Sequence, residues 1–88
     1  MKTILQIHTA QQLIGKIITW SAPSSRWNSP YTGVAKITSV DASCRRPITS
    51  ETIEGDDLDY AFVEDVEMGL LCYGDGDRCV TFEEVNNA

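Results

Sequence analysis

The residue types that could do chemistry are few and scattered. His8 sits between Ile7 and Thr9 with no serine or cysteine motif nearby and reads as a rim or surface histidine. Together with Cys44, Cys72 and Cys79 it supplies the ligand types of a zinc site, but no C-x-x-C or H-x-x-x-H spacing brings them together. Asp75 and Asp77 lie in Gly74-Asp75-Gly76-Asp77, which lacks the further acidic position, the glycine and the closing glutamate of an EF-hand loop. Gly74-x-Gly76 is followed by an acidic hairpin and not by a helix, so it is no phosphate loop. Nucleophile, general base and paired carboxylates are missing as a set. The expectation is a protein that is not an enzyme and that carries no metal and no cofactor.

Two stretches could bind. The first is the loop from Trp20 to Tyr31, which holds both tryptophans, Arg26 and a tyrosine. These are the side chains that most often carry interface energy. Trp20 ends an apolar run and reads as core. Trp27 can fold back as a lid or meet a partner. Arg26, Trp27 and Tyr31, joined by Arg45 and Arg46, would suit a small anion or nucleotide, with a homo-oligomer as one way to complete the pocket. The second stretch spans residues 51–67, where eight acids fall in seventeen residues without a base. Glu54, Asp56, Asp57, Asp59, Glu64 and Asp65 read as a docking face for a partner protein with a basic surface; the plainer reading is a solvated face with turn caps.

The whole chain is charged in the same lopsided way. Residues 1–50 hold six bases and one acid, net +5, and residues 51–88 hold one base and twelve acids, net −11. Segregation of this kind concerns surfaces and partners, not fold. The sequence pI of about 4.5 argues against direct nucleic-acid binding, because phosphate contacts need a basic surface. In size and charge the chain resembles small phage-encoded inhibitors of host defence, and equally many adaptors; the first resemblance implies carboxylates placed where a partner expects phosphates, with electrostatic steering of the encounter.

The elements that must position these groups are short. At 88 residues and 42% hydrophobic content the expectation is a single domain over 1–88 with a thin core. No segment approaches the roughly 20 apolar residues of a membrane span, and the N-terminus is too polar for a signal-peptide core, so a cytoplasmic protein is expected. Thr9 followed by Ala10 to Ile14 predicts one capped helical turn ended by Gly15. Lys16–Trp20 and Val34–Val40 read as strands, the second with Ala35, Ile37 and Val40 inward around a local irregularity. Pro47–Ile53 reads as an edge strand or an extended linker. Residues 56–69 fit a strand, with Leu58, Tyr60 and Phe62 alternating, or a helix with Leu58, Ala61, Phe62 and Val66 on one stripe; the strand formers favour the first.

Tyr73 to Arg78 reads as a hairpin turn centred on Asp75-Gly76, which sets Cys72 across from Cys79 and places Leu71, Val80 and Phe82 on the core face. The thiols would then lie on the outer or rim face. The odd cysteine count favours reduced thiols, with a disulfide as the alternative. A bulge at Gly69 would bring Val66 and Met68 into phase. Five or six short strands with one N-terminal helical turn predict a mainly β fold, a small curved barrel or β-roll. The run Leu13-Ile14-Gly15-Lys16-Ile17-Ile18-Thr19-Trp20, a long loop, then Gly33-Val34-Ala35-Lys36-Ile37 resembles the opening of SH3-like small barrels over residues 13–40. The resemblance implies a fold in which that loop packs beside a groove; it implies no ligand, because the aromatic motif of peptide-binding SH3 domains is absent.

Overall fold

The computed structural model describes residues 3–23, 30–74 and 79–85. They form a mainly β fold of two sheets. In chain order the elements are β1 (Thr3–Ile4), α1 (Ile7–Gln12), β2 (Ile17–Ala22), β3 (Tyr31–Val40), β4 (Ile48–Gly55), a 3-10 turn (Leu58–Tyr60), β5 (Ala61–Asp65), β6 (Leu70–Tyr73) and β7 (Thr81–Glu84). One antiparallel sheet has the order β1-β7-β2-β3-β4; the other pairs β5 with β6. Isolated bridges Gln6–Leu70 and Cys72–Cys79 tie the small sheet to the large one, and no closed barrel forms among the described residues.

Alternation builds the core. Ile18, Trp20 and Ala22 of β2 face inward with Ala35 and Ile37 of β3, Ile48 of β4, and Leu71 and Tyr73 of β6. Each fully buried aliphatic side chain contributes about 1.5–3 kcal/mol relative to exposure. The irregularity expected in β3 is present as register shifts at Val34/Ala35 and Ile37/Ser39, and Val40 packs against the core as a half-buried residue. Gly33 is opposite Trp20, and it must be glycine because of close approach. A Cβ there would lie 2.8 Å from the Asp56 carbonyl oxygen and 2.9 Å from both the Glu54 carbonyl oxygen and Trp20 Nε1.

Several expectations are corrected. Thr9 does not cap the helix. α1 begins at Ile7 with no side-chain cap on Gln6; instead the Ile7 N–H donates to the Gly69 carbonyl (3.0 Å), so a tertiary bond starts the helix. The strand expected from Leu58 is preceded by a 3-10 turn, and the alternation breaks: Leu58 is buried, Tyr60 exposed and Phe62 buried. The Asp57 carboxylate accepts the Asp59 N–H (3.0 Å) and holds this turn. Gly69 carries no bulge; at φ +68° it closes the turn after β5, whose start Asp65 caps through the Glu67 and Met68 N–H groups (3.1 and 3.2 Å). Val66 and Met68 are thereby left 86% and 58% exposed, out of any strand register.

The last hairpin diverges at once. Cys72 does face Cys79, and the Val80 N–H donates to the Leu71 carbonyl (2.9 Å), but β7 then leaves β6 to pair with β2 and β1. Leu71 and Val80 are fully buried, whereas Phe82 is half-buried against the core. Cys72 is buried, contrary to its expected rim position, because Phe62 lies beside it across β5–β6 and Arg45 and Arg46 stack over Phe62. No helix among the described residues is long and apolar enough to cross a membrane.

Candidate functional site

The acidic stretch is divided by the fold into groups with different tasks. Glu51 and Glu54 are exposed on β4, the edge strand of the large sheet, with Ile53 between them 52% exposed. At the strand's end Asp56 is locked to the start of β3: its N–H donates to the Thr32 carbonyl (2.8 Å), and its carboxylate accepts the Thr32 N–H (3.0 Å). Asp57 caps the 3-10 turn, and its carbonyl accepts the Tyr73 hydroxyl (2.8 Å). Asp59 is half-buried, and one carboxylate oxygen accepts both the N–H and the hydroxyl of Ser50 at 2.6 Å. That bond plugs part of the β4 edge, which the two glutamates and the bulges also blunt against strand addition. Asp59 is therefore withdrawn from the expected docking face, and Asp65 is engaged in its turn. Glu64 is exposed on β5, in the other sheet, apart from the β4 group in strand order.

What remains exposed at one place is Glu54, Asp56 and Asp57, and here the surface is concave. A depression of about 340 Å³ is lined by Thr19, Ser21, Thr32, Val34, Glu54 and Gly55 among others. Its lining, across β2, β3 and β4, mixes the hydroxyls of Thr19, Ser21 and Thr32 and the Glu54 carboxylate with Val34, Trp20 and the glycine backbone of residues 33 and 55. The Thr19 hydroxyl donates to the Glu83 carbonyl, and Ser21 and Thr81 share a hydroxyl contact of 3.2 Å. Behind this surface lies an aromatic cluster: Tyr73 packs on Trp20, Tyr31 and Tyr60 at centroid distances of 4.9, 4.7 and 6.5 Å. Burial first, then the nearby Asp56 and Asp57 charges, pushes the Tyr73 hydroxyl up to about 12. Trp20 is buried as expected, and its Nε1 has no hydrogen-bond partner among the described residues.

Of the alternative ligand set, only Tyr31, Arg45 and Arg46 fall within the described residues. Arg26 and Trp27 lie outside the described residues. Tyr31 is half-buried in the aromatic cluster, so it belongs to the scaffold. Arg45 stacks over Phe62 at 5.4 Å, and Arg46 over Tyr60 and Phe62 at 5.3 and 5.0 Å. The Arg45 carbonyl accepts the Val63 N–H (3.1 Å), laying the loop along β5. Arg45 also lines a second groove, of about 610 Å³, with His8, Cys44, Val63, Val66 and Met68. His8 and Cys44 share this groove, while Cys72 and Cys79 face each other away from it. The Cys44 thiol is pushed up, first by its hydrogen bond to Asp41 (3.3 Å) and then by that carboxylate's charge. Asp75 and Asp77 fall outside the described residues.

The plainer reading of turn caps holds for Asp57 and Asp65, while the long-range bonds of Asp56 to Thr32 and of Asp59 to Ser50 had no counterpart in the sequence reading. Aspartate at the chain reversals was the signal for Asp57 and Asp65, since a short carboxylate reaches backbone N–H groups two residues on. Nothing in the sequence pointed to Phe62 as the platform for both arginines. Compared with protein-family models, curated proteins and solved structures, the chain matches none of them.

Proposed function

We propose that the protein is a non-enzymatic binding module that docks a basic partner protein at the acidic end of β4. The observation that carries this reading is the depression walled by Glu54 and by the hydroxyl-bearing residues Thr19, Ser21 and Thr32, with Asp56 and Asp57 at the adjoining strand exit. Its volume of about 340 Å³ suits one lysine or arginine side chain, and hydroxyls and carbonyls around a carboxylate are the acceptors such a donor-only group needs. Exposed charges act over about 8–10 Å at physiological salt, so the acids of β4 and the strand exit would speed encounter at low salt. A cytoplasmic setting, an SH3-like barrel arrangement of the strands and an inhibitor role against a nucleic-acid-binding partner belong to the same proposal.

The test is capture of partners from the native host followed by binding measurements with Glu51→Lys/Glu54→Lys. These positions carry no capping bond, so the fold should be intact by circular dichroism. Binding should weaken at least tenfold, and the wild-type association rate should fall steeply with salt. Undiminished binding by the double variant would overturn the reading. Sensitivity at Arg45→Ala in its place would favour the competing reading, a small anion held in the second groove, whose apolar walls and about 610 Å³ volume are of ligand size.

A further inference from the structure

We infer that Cys72 and Cys79 form a preformed dithiol that closes reversibly to an intramolecular disulfide, with Cys79 as the attacking thiol and Cys72 as the resolving one. All three cysteines are thiols in this structure. Cys72 and Cys79 face each other across an antiparallel bridge. The Val80 N–H to Leu71 carbonyl bond of 2.9 Å brackets that bridge, which makes the cysteine pair a non-hydrogen-bonded one. Such pairs bring their Cα atoms to about 4.5 Å with side chains on the same face. Disulfides span Cα separations of roughly 4.4–6.8 Å, so closure needs no strand movement.

Burial orders the two steps. Cys79 is half-buried and Cys72 is 5% exposed, covered on its own face by Phe62 of the neighbouring strand. A small disulfide such as oxidised glutathione reaches Cys79 first. The Cys79 thiolate attacks one sulfur, forming a mixed disulfide and releasing one glutathione thiolate. Cys72 then loses its proton and attacks the Cys79 sulfur, forming the intramolecular bond and releasing the second glutathione. Two protein thiols are oxidised and one glutathione disulfide is reduced to two thiols, so electrons and protons balance. Cys44, though exposed, does not compete well, because Asp41 holds its thiol in the protonated form.

The outcome is a staple between β6 and the segment leading into β7, closing the chain between Cys72 and Cys79 into a covalent ring. The staple lies next to Tyr73, whose hydroxyl holds the Asp57 carbonyl. The full chain is equilibrated in millimolar oxidised glutathione, acid-quenched, alkylated and mapped by mass spectrometry. A Cys72–Cys79 crosslinked peptide with Cys44 alkylated is expected, with a melting temperature several degrees above the reduced protein. Cys72→Ser should trap a glutathione adduct on Cys79, whereas Cys79→Ser should leave Cys72 as a thiol. Three alkylated cysteines in the wild type, pairing through Cys44, or a lower melting temperature on closure would overturn the inference. An adduct on Cys72 in Cys79→Ser would overturn the assigned order.

Discussion

Replacing Asp59 by alanine should destabilise the protein more than any other acidic substitution in residues 51–67. One of its oxygens accepts two hydrogen bonds from Ser50, both 2.6 Å and part-buried. Hydrogen bonds to a charged group contribute about 1.5–3 kcal/mol, but two bonds to one oxygen and one partner residue do not add fully. The expected loss is about 2–4 kcal/mol, against a total stability on the order of 5–15 kcal/mol for small domains, with this short chain placed toward the lower end. In a domain of 60–100 residues each kcal/mol shifts the melting temperature by about 4–8 °C, so Asp59→Ala should melt at least about 8 °C below wild type. Urea denaturation followed by tryptophan fluorescence gives the free energy directly, and the slope with urea should be unchanged. Glu64→Ala, an exposed strand carboxylate, serves as the control and should stay within about 0.5 kcal/mol of wild type. If Asp59→Ala and Glu64→Ala melt together, the 3-10 turn is not anchored to β4 through this carboxylate and the account of the edge strand fails. The same reasoning excludes a charge-reversal triple at Asp56, Asp57 and Asp59 as a clean test of docking, because it would remove three backbone caps together with the surface charge.

Core truncations should rank by burial: Leu71→Ala, at a fully buried site, should cost about 2–5 kcal/mol and Phe82→Ala, at a half-buried one, less than the 3–5 kcal/mol of a buried phenylalanine, as read from paired denaturation curves. Equal losses would place Phe82 deeper than the β7 register allows. Tyr73 should titrate at about 12 by phenolate absorbance, a step absent from Tyr73→Phe. Its folded value lies above the ordinary 10.0, so its contribution to stability is complete below pH 10 and is lost as pH rises toward 12; a wild type with no loss of stability over that window would contradict the burial of the hydroxyl.

Some of this protein is legible from short-range chemistry. Ile17 to Trp20 and Val34 to Val40 are strands because both runs are rich in β-branched residues, and the pleat sends Ile18, Trp20, Ala35 and Ile37 to one side whatever the partner strand. The Cys72–Cys79 bridge is the register that the sequence predicts from Asp75-Gly76, because turn type and loop length set hairpin register; residues 75–78 lie outside the described residues. Other features depend on which segments meet. The fate of the acids was set by neighbours distant in sequence: Asp59 by Ser50 on β4, and Asp56 by Thr32 on β3. The same residue type reads identically in sequence whether its carboxylate caps an N–H or faces water. α1 starts where Gly69 offers a carbonyl, since a six-residue helix has too few internal bonds to set its own ends. Cys72 is buried because Phe62, itself stacked under Arg45 and Arg46, lies beside it on the neighbouring strand, a layer that period-two patterning on β6 alone cannot encode. Charge segregation was written in the composition; the concave acidic end of β4 exists only because Gly33, Glu54 and Gly55 are brought against Thr19, Ser21 and Thr32 by strand pairing.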